Sequence, residues 1–224
     1  MLSFDLHARE GKQRITLQPA ALIVAGWTGR DEAALHHHIE ELAAIGVPRP
    51  SSVPVFYRNS FLNLTQAPIL EVLGPDTSGE VEPVIVAVDG QLCLTVGSDH
   101  TDRKAETQGI ALSKQLCAKQ LGRDLWPLDD VAGHWDQLKL RSFATIEGKR
   151  MAYQDGTLSG MRPPADLIAR YGSALVPNAV MYCGTLGAIG GIRPATRFEM
   201  ELEDPVLGRT LKSAYDVNVL PVVS

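Results

Sequence analysis

The chain has 224 residues, 45% of them hydrophobic and 21% charged, which excludes a disordered chain and gives enough length to bury a large core without disulfide staples. Its 26 acidic and 21 basic residues leave a formal charge of -5, so no nucleic-acid partner is expected. Cys93, Cys117 and Cys183 form no CxxC pair, the N-terminus lacks the order of a secretory signal, and no apolar run approaches the roughly 18 residues of a membrane helix; the expectation is a cytoplasmic protein with reduced thiols and no membrane partner.

In chain order, residues 13–25 read as a strand, with Ile15, Leu17 and the apolar run 20–25. Thr28 and Asp31 have capping-box spacing and open a helix. Its body, 32–45, is rich in Ala, Leu and Glu, and Gly46 followed by Pro48 ends it. Leu35, Ile39 and Leu42 recur at i, i+4, i+7 and face a core, while His38 and Glu41 share the neighbouring face. Residues 53–58 form a short strand that ends in the charge of Arg58. Residues 81–88 and 91–96 form a hairpin around Asp89-Gly90, a type I′ turn signal. Residues 104–119 read as a helix ending near Gly122. A strand at 138–146 runs into a Glu147-Gly148-Lys149 turn, and 164–171 reads as a short helix. Strands at 179–183 and 197–202 flank a glycine-rich loop. The expected fold is α+β and β-rich, about ten strands and three helices packed as a mixed β-sandwich or roll.

Several clusters carry chemical potential. Glu80 and Glu82 stand at i and i+2, so on a strand they point the same way. Their repulsion is relieved by a cation between them, and oxygen donors of this kind suit Mg²⁺, Mn²⁺ or Ca²⁺. A solvated acidic strand edge gives the same pattern. Asp99 lies in a polar segment, 97–104, where a third carboxylate or an ordinary helix cap both fit. His38 with Glu41 on one helix face can form an oriented base, as can half-exposed histidines without a role; His36 is an alternative base if the helix is rotated. The loop from Cys183 to Gly191 holds Gly184, Gly187, Gly190 and Gly191 and can turn backbone N–H groups toward an anion, or merely make a tight connection. Lys114 and Arg58 are isolated cations.

In this order the pieces resemble the fumarylacetoacetate hydrolase superfamily over roughly residues 24–204, in a divergent branch similar to bacterial DUF2848 proteins. His38-Ile39-Glu40-Glu41 looks like the family's lid dyad, and Phe56-Tyr57-Arg58 like its strand with a basic residue, normally Lys. Asp99-His100-Thr101-Asp102-Arg103 fits its Asp-x-Thr-x-Arg segment, Lys114 and Cys117 its Lys segment, and Gly184-Thr185 its substrate loop. The resemblance implies a mixed β-sandwich roll of the family's C-terminal domain type, in a single domain over 1–224. A strand and lid-helix element would lie in 1–75 and a β-roll core in 76–224, and the protein would be a homodimer. It further implies Glu80, Glu82 and Asp99 as ligands of Mg²⁺ (or Mn²⁺ or Ca²⁺). His38 and Glu41 would form the base, with Lys114 polarising an oxygen and Arg58, Arg103, Gly184 and Thr185 binding substrate. The activity it implies is hydrolysis of a C–C bond in a small acylpyruvate or 1,3-diketo acid. Decarboxylation or tautomerisation of a 2-oxo acid and dehydration of a sugar acid use the same metal-enolate chemistry, and a non-catalytic small-molecule binder is the contrasting class. The interval between Glu82 and Asp99 is shorter than the family's, which implies a missing side wall. Arg58 stands for Lys, and Leu186 for Pro.

Overall fold

Runs of aliphatic and β-branched residues, bounded by Gly, Pro and Asp, turn this chain into many short strands. The computed structural model describes residues 1–9, 11–44 and 49–223, apart from the side chains of His38, Glu41 and Leu42. The chain opens with β1 (Leu2–Ala8), β2 (Gly11–Leu17), β3 (Ala21–Gly26), α1 (Glu32–Ala44) and β4 (Val55–Asn59). There follow β5 (Leu64–Thr65), β6 (Ile69–Leu73), β7 (Thr77–Ser78), β8 (Val81–Val88), β9 (Gln91–Ser98) and β10 (Thr101–Asp102). The middle holds α2 (Arg103–Glu106), α3 (Ile110–Leu116), β11 (Lys119–Leu121), β12 (Asp124–Pro127) and α4 (Asp129–Ala132). The last third contains β13 (Lys139–Ile146), β14 (Lys149–Thr157), α5 (Pro164–Tyr171), β15 (Ala179–Tyr182), β16 (Arg197–Asp204) and β17 (Arg209–Leu220).

A ten-stranded sheet runs β2-β1-β12-β9-β8-β15-β3-β4, with β11 joined to β9 and β5 to β11. A five-stranded sheet runs β14-β13-β16-β17-β6. Parallel pairs (β1 with β12, β3 with β15, β6 with β17) make both sheets mixed. One core lies between the sheets, where Ile23, Val81, Ile85, Leu94 and Met181 meet Leu140, Tyr153, Phe198, Met200 and Tyr215. The other face of the large sheet packs against itself: Leu22, Val24, Val84, Val86 and Tyr182 meet Phe4, Leu17, Leu121 and Leu125. A sheet can bury one face on its own strands only by curling, so the expected β-sandwich roll is what forms. Strands from both 1–75 and 76–224 share the large sheet.

Several element boundaries differ from the sequence reading. Residues 13–25 are two strands, broken at Gln18-Pro19-Ala20, where Pro19 has no N–H to give a ladder. The first strand, β1, was not expected, although Leu2, Phe4 and Leu6 alternate with Ser3, Asp5 and His7. Residues 104–119 are not one helix: Gly109 interrupts it, and the chain has turned into strand by Lys119. Helix α1 is capped by Asp31, whose carboxylate accepts from Ala34 N at 2.9 Å; Thr28 is buried outside it and is not the cap. Ile45, Gly46 and Pro48, expected at its end, lie outside the described residues. Seventeen strands and five α-helices exceed the ten and three expected among the described residues, because very short strands carry no period-two signal.

Candidate metal centre

The β8–β9 hairpin builds the site by register alone. Asp89 (φ 47°) and Gly90 (φ 82°) form a two-residue turn with both central residues in the left-handed region. From there the pairing runs without a bulge from Val88 opposite Gln91 to Val81 opposite Ser98. One step further, Asp99 N donates to Glu80 O at 3.0 Å. Glu80 and Glu82 project to one side, and Asp99 arrives opposite Glu80. The residue opposite Glu82 is Gly97. A Cβ there would lie 2.7 Å from Gln120 O and 2.9 Å from the Tyr182 ring, so only glycine leaves the space. One carboxylate oxygen from each of Glu80, Glu82 and Asp99 lies within 4.8 Å of the others.

Glu82 and Asp99 are buried and Glu80 is partly so. Three cations answer them. Lys114 Nζ, from the last turn of α3, donates to Asp99 Oδ2 and stands 3.6 Å from Glu80 Oε2. Lys119 on β11 is fully buried, with Nζ 2.8 Å from Asp99 Oδ1. Arg103 places Nη2 3.0 Å from Glu80 Oε1 and also donates to Ser78 Oγ and Glu106 Oε2. Gly184 N–H donates to Glu82 Oε2 at 2.7 Å. Its φ is +98°, and a Cβ would come within 1.9 Å of Thr28 Oγ1. Burial pushes the Asp99 carboxyl upward, but Lys114 and Lys119 outweigh that and hold it down at about 2. Burial, reinforced by the Asp99 charge, raises Glu82 well above the usual carboxylate range despite Lys114 and the Gly184 N–H. Burial lowers Lys114, and Asp99, Glu80 and Glu82 reverse it, so its ammonium stays charged.

The donor set fits a hard divalent cation. It is three carboxylates with no sulfur or nitrogen donor, the chemistry of Mg²⁺, Mn²⁺ or Ca²⁺. Both Asp99 oxygens face ammonium groups, Oδ2 that of Lys114 and Oδ1 that of Lys119 at 2.8 Å, so an ion entering here meets positive charge already in place.

The other residues singled out in the sequence fall in different places. Lys114, Arg103 and Gly184 reach the triad. Thr185 lies beside it, with Oγ1 donating to Val81 O and accepting from Gln154 Nε2, both at 2.7 Å. His38 and Glu41 are on α1, but their side chains lie outside the described residues. Arg58 is not brought to the carboxylates. It pairs with Ile23 on the inter-sheet side, is exposed, and donates to Tyr171 Oη on α5 at 2.9 Å. The neighbouring Tyr57 takes the inner side instead, with Lys114 Nζ 5.9 Å from its ring centre. Burial raises the Tyr57 hydroxyl, which also hydrogen-bonds Trp27. Trp27, just past β3, holds φ 58°, a conformation costly for a bulky side chain and concentrated at functional sites. Sequence reasoning missed Lys119, Tyr57 and Trp27. Of these only Tyr57 left a signal, because strand alternation puts residues 57 and 58 on opposite faces. His100 binds Tyr215 and Thr77, Asp102 caps α2, and His134 pairs with Asp204; none of these side chains contacts the triad.

A family model described as a protein of unknown function, DUF2848, matches residues 25–215. The chain belongs to the DUF2848 family. Solved structures share its fold at low identity. A protein of Oleispira antarctica named as a candidate fumarylacetoacetate isomerase/hydrolase is 16% identical, with TM-score 0.67 over 97% of this chain and 100% of that one. The yeast protein ynq8, a fumarylacetoacetate hydrolase family protein, is 16% identical, with TM-score 0.61 over 92% and 95%. A 2-keto-3-deoxy-D-arabinonate dehydratase is 14% identical, with TM-score 0.65 over 94% and 77%. No curated protein matches the sequence. This DUF2848 chain therefore has the fold of the fumarylacetoacetate hydrolase family, with its acidic triad at the open end of the hairpin.

Proposed function

We propose that this protein is a divalent-metal-dependent enzyme that hydrolyses a C–C bond in a small acylpyruvate or 1,3-diketo acid. The observation that carries the reading is the convergence of Glu80, Glu82 and Asp99, one oxygen of each within 4.8 Å of the others. These three residues would hold Mg²⁺, Mn²⁺ or Ca²⁺. When bound, the cation supplies Lewis-acid stabilisation for negative charge on a keto compound.

The chain's own residues supply the rest. Gly184 N–H and the Gln154–Thr185–Val81 bonds fix Glu82 and the loop beside it, so Gly184 and Thr185 act by positioning. Arg103, pinned by Ser78, Glu106 and Glu80, orients Glu80. Lys114, kept protonated by its acidic neighbours, is the cation that polarises a substrate oxygen. His38 is assigned as the base, with Glu41 as its partner: it would take a proton from water, whose oxygen attacks the acyl carbon. The C–C bond then breaks, the acyl fragment leaves as an acid, and the pyruvyl carbon takes up the proton.

Dehydration of a 2-keto-3-deoxy acid is the second reading, because one fold neighbour over 94% of this chain is such a dehydratase. Product analysis on an acylpyruvate, oxaloacetate and a 2-keto-3-deoxy sugar acid with Mn²⁺ decides between them. Two fragments without CO₂ are expected. Loss of water alone would shift the assignment to the dehydratase, and CO₂ release to a decarboxylase. Inertness on all three with metal bound would remove the enzyme reading.

A further inference from the structure

Lys114 occupies a position that a purely supporting residue does not need. Glu80 and Asp99 each have two oxygens, and each gives one to an outer cation: Glu80 Oε1 to Arg103 and Asp99 Oδ1 to Lys119. The remaining oxygens, Glu80 Oε2 and Asp99 Oδ2, both face Lys114 Nζ. The ammonium thus lies between two of the three carboxylates. Lys119 and Arg103 also face the triad, and Arg103 is shared with Glu106. A divalent ion brought between Glu80 and Asp99 is opposed while Lys114 Nζ stands there, since unit charges a few ångströms apart interact strongly where water is scarce.

The three cations are not equally free to leave. Arg103 is held by Ser78, Glu106 and Glu80. Lys119 has no exposed surface and also donates to His100 O. Lys114 donates to Asp99 alone among the described residues, retains about a tenth of its side-chain exposure, and has the face of Tyr57 within reach. We propose that Lys114 is the resident counter-cation of the triad and is displaced from Asp99 toward Tyr57 when a divalent ion enters. The inference rests on the metal reading of the triad and goes beyond it. It makes metal binding a competition, and it presents Lys114 to a substrate oxygen only after the ion has arrived, so that metal precedes substrate.

Two measurements on the full chain test this. Calorimetric titration with Mn²⁺ should show Lys114→Met binding about tenfold or more tightly than wild type. Loss of a nearby positive charge would by itself tighten binding, so crystals of the wild-type protein grown without and with Mn²⁺ provide the second arm. They also serve if Lys114→Met does not fold. The expected pair shows Lys114 Nζ on Asp99 without Mn²⁺ and off it with Mn²⁺. Lys114 still bonded to Asp99 beside a bound ion overturns displacement and leaves the metal centre standing. So does a folded Lys114→Met that binds Mn²⁺ no more tightly than wild type. Mn²⁺ bound by neither protein overturns the displacement and the metal reading together.

Discussion

Asp99 and His100 are adjacent, and both are fully buried, yet they belong to opposite kinds of polar cluster. His100 Nδ1 shares a hydrogen bond with Tyr215 Oη and Nε2 one with Thr77 Oγ1, each at 2.9 Å, and Tyr215 Oη is also bonded to Ser98 Oγ. Ser98 Oγ in turn accepts from Glu80 N. The imidazole also lies edge-on to Phe198 and Tyr215. Both ring nitrogens are satisfied, and burial first, then Lys119 and Arg103, push the imidazole down to about 3, so it is neutral. Asp99 is charged, and each of its oxygens faces a lysine ammonium. A buried neutral group is satisfied by hydrogen bonds alone, whereas a buried charge needs countercharges, and one countercharge can be exchanged for another.

The difference is broken most severely by Asp99→Asn. It would leave two buried ammonium groups facing a neutral amide, and a cost of about 3–5 kcal/mol in urea unfolding is expected, with loss of Mn²⁺ binding. Gly184→Ala comes next. Its φ of +98° disfavours a side chain, and the added Cβ collides with Thr28. About 2–3 kcal/mol is expected, with weaker metal binding because the N–H that holds Glu82 moves. Thr28→Ala in the same chain should restore only part, since the backbone strain remains.

The pH response separates the two clusters. His100 has its pKa depressed on folding, so the unfolded chain binds the extra proton first and stability is lost as pH falls below about 6.5. The slope should approach about 1.4 kcal/mol per pH unit. Asp99 is also depressed, and its contribution is complete above its ordinary value of 3.8 and disappears only as pH falls through about 2. His100→Gln should therefore flatten the slope between pH 4 and 6.5, whereas a slope unchanged in that variant would assign the response elsewhere. The smallest effect is expected of Tyr57→Phe. It removes the bond to Trp27 from a partly exposed hydroxyl, costs about 1 kcal/mol or less, and leaves Mn²⁺ affinity as it was.

The triad was legible because a type I′ turn at Asp89-Gly90 sets a register, and that register puts Asp99 opposite Glu80 without any tertiary information. The short interval between Glu82 and Asp99, which from the resemblance implied a lost wall, is the same hairpin that gathers the three carboxylates. The β-rich class was legible from turn residues and apolar runs, and the roll from the resemblance. Lys119 was not, because a lysine buried in a three-residue strand makes sense only once Asp99 stands beside it. Arg58 was misplaced by one step of alternation, since a charge at a strand end carries no sign of which face it takes. Helix α2–α3 was read through Gly109, where packing of two short helices replaced one long one.

The central claim is that Glu80, Glu82 and Asp99 share a divalent ion. Anomalous scattering at the manganese edge, from a crystal of the wild-type protein grown with Mn²⁺, tests it most directly. One peak is expected, within about 2.0–2.6 Å of an oxygen from each of the three residues. A map without a peak there, from protein shown by calorimetry to have taken up Mn²⁺ elsewhere, would contradict it.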